Sequence, residues 1–212
     1  MKERASKQDK KPKAPRHFAD AAFDIVALAA SAGGLGALST VLVALPSDFP
    51  ATILIVQHLD PRHRSLMADI LSRRTSLRVK QAEEGDLLMA ATVYIAPPDR
   101  HLLVNPDGTL SLSQSELVHF VRPSADLLFE SVAASYKDRS IAVVLSGTGS
   151  DGAMGVRAIK KMGGTVIAQD EKTAEFSGMP EAAIRTGSVD FVLPLEEIPV
   201  ALATLVAKGE VG

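Results

Sequence analysis

The stretch Asp24-Ile25-Val26-Ala27-Leu28-Ala29-Ala30-Ser31-Ala32-Gly33-Gly34-Leu35-Gly36 decides the fold. Its apolar opening reads as a strand over Asp24–Ala29, buried on both faces because no polar residue alternates with the apolar ones. The glycines mark a tight turn. The apolar spacing beyond them predicts a helix over about Leu35–Leu45, stopped by Pro46 and Pro50.

The same alternation continues along the chain. Ala51–Val56 is a second doubly buried strand, and Ser65–Arg74 has helical spacing through Leu66, Ile70 and Leu71. Thr92–Ala96, Leu102–Asn105 and Leu110–Ser113 are short strand-like segments between Pro/Gly turns, predicting an antiparallel ribbon inserted between parallel units. Ser124–Tyr136 is a helix with Ser124 as candidate N-cap after Pro123. Strand Ile141–Ser146, helix Gly152–Met162, strand Thr165–Ala168, helix Pro180–Thr186, strand Phe191–Leu193 and helix Glu196–Val206 complete the reading. The prediction is an α/β fold: a doubly wound, Rossmann-like three-layer sandwich, mostly parallel, with helices on both faces.

Composition narrows the function. The chain has 212 residues, 46% hydrophobic and 23% charged, which suits one globular domain with a sizeable core. Zero cysteine removes disulfide scaffolds, zinc fingers, iron–sulfur sites and thiol catalysis. The net charge of −2 averages two unlike parts. Residues 1–16 hold seven basic groups against Glu3 and Asp9, a net +5, and the rest carries −7. We expect residues 1–22 to be a disordered basic tail and residues 23–208 to be one folded domain. The tail could attract an acidic partner or membrane surface, but the near-neutral overall balance argues against a nucleic-acid-binding surface over the whole protein.

No residue from Ile25 to Ser47 is charged, which is long enough to imitate a membrane span or an export signal. Ser31, Gly33, Gly34, Gly36, Ser39 and Thr40 interrupt it, and Asp20 and Asp24 precede it. A buried strand and a helix explain the run better, so no membrane insertion is expected.

In a parallel sheet, reactive groups collect beyond the carboxyl ends of the strands. Three such turns carry chemistry here: Ala30-Ser31-Ala32-Gly33-Gly34, Gln57-His58-Leu59-Asp60, and Gly147-Thr148-Gly149-Ser150-Asp151-Gly152. Ser31 has the small neighbours a nucleophile on a sharp turn needs, although Ala29 stands where G-x-S-x-G has its first glycine. A serine needs a base, and the base needs a carboxylate to fix its tautomer. Ser31, His58 and Asp151 offer one of each. Taken singly, Ser31 or Asp151 could instead be a helix cap, Asp151 for the helix that starts at Gly152.

The third turn is also a literal G-x-G-x-x-G at Gly147, Gly149 and Gly152, with Asp170 near the ribose-binding spacing, so dinucleotide binding is an alternative. Asp151 would repel a pyrophosphate there. No P-loop occurs, and His17, His63, His101 and His119 form no metal-ligand spacing, so neither cofactor nor metal is expected.

Several separated motifs resemble the catalytic domain of the chemotaxis protein-glutamate methylesterases. They are Ala30–Gly34, Val56–His58, the ribbon signature Tyr94–Leu102, the helix-start motif Arg122–Ser131, the Ser146–Gly152 loop, and Phe176-Ser177-Gly178-Met179-Pro180. The resemblance runs from about Asp24 to Val206. It implies a cytoplasmic hydrolase with Ser31 as nucleophile, His58 as general base and Asp151 as orienting carboxylate. It further implies oxyanion or substrate-binding roles for Ala32, Gly33, Thr148, Arg122 and Met179. The implied substrates are glutamate methyl esters on the cytoplasmic helices of methyl-accepting chemoreceptors, cleaved to glutamate and methanol, and some family members also deamidate receptor glutamine.

Two departures stand beside the nucleophile and aspartate loops: Ala32 where many members have Thr, and Thr148 where many have Met. Family members usually carry an N-terminal receiver domain. The short basic tail leads to the expectation of a constitutive esterase or of a regulator acting in trans. A catalytically weak binding module of the same fold is a further alternative, disfavoured by the presence of all three triad residue types.

Overall fold

The computed structural model describes residue 15 and residues 17–58, 65–118 and 120–207. Most of the predicted tail, together with His63 and His119, lies outside the described residues. Strands β1 (Ile25–Ala30) and β2 (Thr52–Gln57) pair in parallel at the centre, and every residue of both is buried. Outward from β2 come β4 (Thr92–Ile95) and then β3 (Arg78–Gln81). On the other flank of β1 come β7 (Ser140–Val144), β8 (Thr165–Gln169) and β9 (Phe191–Leu193). Among the described residues this makes one seven-stranded sheet, parallel at every pairing. Strands β5 (His101–Val104) and β6 (Leu110–Ser113) form a separate antiparallel pair.

The period of two along a strand divides the core between the faces. Val26, Leu28, Ile53 and Ile55 pack against α1 (Gly34–Val43), α2 (Met67–Ser72) and α6 (Ile198–Val206). Ile25, Ala27, Ala29, Leu54 and Val56 pack against α3 (Ala125–Tyr136), α4 (Ala153–Lys161) and α5 (Gly178–Arg185). Apolar burial on both sides is why β1 and β2 read as continuous hydrophobic runs; each fully buried Leu or Ile contributes about 2 kcal/mol.

Three expectations are corrected. Thr92–Ala96 does not belong to the ribbon, because Thr92–Ile95 pairs in parallel with β2 and extends the main sheet. Strand β3 was not foreseen, since Arg78–Gln81 carries no apolar run. The end of the predicted tail is ordered: Phe18 packs on the core and buried Ala21 bridges to Ala207. The uncharged run from Ile25 becomes strand, turn and helix, and no helix among the described residues is long and apolar enough to cross a membrane.

The chain leaves β1 for β2 on one side and later returns to β7 on the other. The crevice beyond the carboxyl end of β1 is therefore a topological switch point, where sheets of this kind bind ligands.

Candidate active site

Ser31 is the first residue past β1. Its N–H donates to Ser146 O at 3.0 Å, and the next strand end is fixed likewise by His58 N–H to Ala30 O at 3.2 Å. Ser31 opens a four-residue turn closed by Gly34 N–H to Ser31 O at 2.9 Å. Gly33 has φ 72° and ψ −4°, the third-position geometry of a type II turn, which glycine adopts without strain. A side chain at Gly33 would also come within 2.8 Å of Ser146 Oγ and Glu175 Oε2. Helix α1 then begins at Gly34, directing its amide end toward the turn.

His58 and Asp151 meet across this edge, with Nε2 and Oδ2 2.8 Å apart. Asp151 is 3% exposed and sits on the amino end of α3. Its Oδ2 accepts Ala125 N–H at 2.6 Å, and its Oδ1 accepts Asp126 N–H at 3.1 Å and the Ser124 hydroxyl at 2.8 Å. Burial alone pushes this carboxyl up, but the bonds from His58, Ala125, Asp126 and Ser124 outweigh it and hold it below the usual carboxylate range. The carboxylate therefore fixes His58 with a proton on Nε2, which leaves Nδ1 as the unprotonated ring nitrogen. The Ser31 hydroxyl has no hydrogen-bond partner among the described residues. Serine–histidine contacts are commonly loose until substrate closes the site.

The capping alternative for Asp151 is half right, because the carboxylate caps a helix, but the helix is α3. Helix α4 has Gly152 at its N-cap without a side-chain bond, and its Met154 and Gly155 amides are taken by Asp126 Oδ1 at 2.9 and 2.7 Å. That occupancy corrects the dinucleotide reading, since the α4 amides a pyrophosphate would use already bind a carboxylate.

The remaining predicted residues are placed unevenly. Neither the Ala32 nor the Gly33 N–H has an acceptor among the described residues, so both are open as oxyanion donors. Thr148 is exposed on the loop after β7. Met179 is buried; its N–H donates to Gly147 O at 2.9 Å, and its sulfur fills the space where a side chain on Gly147 would lie. Arg122 is not brought into hydrogen-bond contact with the triad. Its guanidinium binds Asp99 Oδ1 at 2.6 and 2.9 Å and the carbonyls of Gln114 and Ser115, tying the ribbon to the segment entering α3.

Four supporting residues escaped the sequence reading of the site. Ser124 does not cap α3 through its own side chain and instead donates to Asp151. His101 is fully buried, with Nδ1 accepting Ser124 N–H and Nε2 donating to Glu116 O, both at 3.1 Å. Burial holds its pKa below the ordinary histidine value despite the opposing Glu116 bond. Gln57 and Ser146 brace the turn that carries Ser31. Their signal was available: a polar side chain ending a doubly buried strand must find partners. Among the described residues no three His, Cys, Asp or Glu side chains are placed to hold a metal ion.

The geometry agrees with what the chain resembles. Residues 26–202 match the family model described as CheB methylesterase. A relative from Leptospira interrogans is 43% identical over 176 residues, 83% of this chain and 91% of its own. The protein-glutamate methylesterase/protein-glutamine glutaminase of Pyrococcus horikoshii is 42% identical over 89% of this chain but only 50% of its own. The protein-glutamate methylesterase FrzG of Myxococcus xanthus is 43% identical over 85% of this chain and 54% of its own. The crystal structure of the Thermotoga maritima CheB methylesterase catalytic domain superposes with a TM-score of 0.84 at 39% identity, covering 87% of this chain and all of that one. Matched over most of its length by the family model and by that catalytic domain, the chain belongs to the CheB methylesterase family.

Proposed function

We propose that this chain is a protein-glutamate methylesterase that hydrolyses γ-glutamyl methyl esters on the cytoplasmic helices of chemoreceptors. The observation that carries this reading is the 2.8 Å bond between His58 and a buried Asp151 seated on the α3 amino end, at the sheet edge that presents Ser31. Asp151 faces no permanent cation among the described residues, so an imidazolium formed on His58 is the charge it is placed to balance.

Ser31 Oγ attacks the ester carbonyl as His58 Nδ1 takes its proton. The oxyanion lies on the Ala32 and Gly33 N–H groups. Collapse expels methoxide, which leaves as methanol with the proton from His58. Water then attacks the acyl-serine with His58 again as base, releasing glutamate and restoring the hydroxyl. A glutamine side chain takes the same route with ammonia as the leaving group. The paired His58 and Asp151 favour this reading over a degenerate binding module.

Labelling with a serine-directed fluorophosphonate, read by intact mass and peptide mapping, tests it. We expect one adduct, on Ser31, lost in Ser31→Ala and slowed at least ~10³-fold in His58→Ala. Labelling elsewhere, or at an unchanged rate in His58→Ala, contradicts it.

A further inference from the structure

The two peptide units that follow Ser31 are each gripped by a buried side chain. Gln57, the last residue of β2, donates from Nε2 to Ser31 O at 2.7 Å and to His58 O at 3.2 Å. Ser146, just past β7, donates from Oγ to Ala32 O at 2.8 Å. Both residues are at least nine-tenths buried. The Ser146 hydroxyl also accepts Phe176 N–H at 3.0 Å, and its N–H is anchored on Gln169 Oε1 at 2.9 Å, so its orientation is set from two sides.

In a trans peptide the C=O and the N–H point in opposite directions. Holding Ser31 O therefore aims Ala32 N–H, and holding Ala32 O aims Gly33 N–H. The second grip matters most, because type I and type II turns differ by a flip of the central peptide, here Ala32–Gly33. A flip would reverse the Gly33 N–H. Gly33 at φ 72° permits the type II form, and the Ser146 hydroxyl holds the Ala32 carbonyl there.

We propose that Gln57 and Ser146 are positioning residues that set the oxyanion hole, Gln57 by aiming the Ala32 amide and Ser146 by aiming the Gly33 amide. The inference rests on Ser31 being the nucleophile and deepens that reading. It also gives Ser146 a role beyond the core, since its hydroxyl links the nucleophile turn to the Phe176 loop.

The test compares Ser146→Ala, Ser146→Thr and Gln57→Met with the unaltered protein, using methylated receptor for steady state and fluorophosphonate for the rate of Ser31 labelling. One oxyanion donor is worth ~10²–10³-fold, so misaiming one is expected to lower kcat and the labelling rate by about 10–100-fold. KM should stay within about twofold, and Ser146→Thr, which keeps the hydroxyl, should recover most of the loss. A second readout needs no variant: the Ala32 and Gly33 amide protons should move downfield in NMR spectra when Ser31 is phosphonylated. Unchanged kcat and labelling in folded Ser146→Ala, a Thr variant as slow as Ala, or amide protons that do not move would overturn the proposal. A protein labelled at Ser31 in this pattern but releasing no methanol would leave the oxyanion assignment standing and contradict the methylesterase reading alone.

Discussion

Two buried aspartates, each bonded to a histidine, lie at opposite ends of the central sheet, and only one has the makings of catalysis. Asp24 precedes β1 at the amino edge. It accepts the guanidinium of Arg139 on both oxygens, Phe18 N–H at 2.7 Å and His17 Nδ1 at 2.6 Å. Asp151 lies at the carboxyl edge and accepts two backbone amides, one hydroxyl and His58. The difference is the guanidinium. Asp24 is neutralised by a permanent cation whatever His17 does, whereas Asp151 is held by neutral donors and a helix end, so among the described residues His58 is the one titratable group bonded to it. The same residue pair thus makes an anchor at one edge and, in the proposed mechanism, a proton-transfer unit at the other.

The comparison breaks most sharply at Asp151. Asp151→Asn must turn its NH2 either toward His58 Nε2, imposing the wrong tautomer, or against the α3 amides. We expect kcat to fall by about 10³-fold or more, while Asp24→Asn leaves kcat within about twofold, both measured on one methylated receptor. The stability effects are reversed. Arg139→Met strands the Asp24 charge and should cost about 3 kcal/mol in urea unfolding without changing kcat.

Acid should affect both edges. At Asp24, as at Asp151, burial pushes the carboxyl up but is outweighed, here by the Arg139, His17 and Phe18 bonds and by the charge of Arg139. With folded pKa values below the unfolded one, both groups contribute stability above about pH 4, lost as pH falls through the folded values. Urea midpoints from pH 6 to pH 2 should drop mainly below pH 4, and the drop should shrink in Asp24→Asn. The smallest expected effect is at His17, which is 54% exposed beside an already neutralised partner. His17→Ala should shift stability by no more than about 1 kcal/mol.

Much of this arrangement was legible in the sequence, for physical reasons that also set its limits. Strands β1 and β2 announce themselves because burial on both faces demands unbroken apolar runs, and such strands place Ser31 and His58 at one edge by geometry alone. Strand β3 is silent because Arg78–Gln81 has no apolar run, its most exposed residues being Arg78 and Gln81. Strand β4 was readable as a strand but not as a member of the main sheet, since that depends on pairing with β2 some forty residues earlier. Asp151 was readable as a carboxylate at the edge. Its seat on α3 was not, because 26 residues separate it from Ala125. Gln57 and Ser146 were readable as polar side chains ending buried strands, but not their partners, because the Ser31 and Ala32 carbonyls leave no trace in a sequence. His17 read as part of a solvated tail because nothing local reveals that Asp24 and Arg139 wait for it.

The central claim is tested most directly by methanol released from a methylated chemoreceptor, measured for the unaltered protein and for Ser31→Ala in the same assay. The account predicts turnover by the first and a loss of at least ~10³-fold in the second, with folding unchanged. Turnover retained by folded Ser31→Ala, or absent from the unaltered protein, would contradict it.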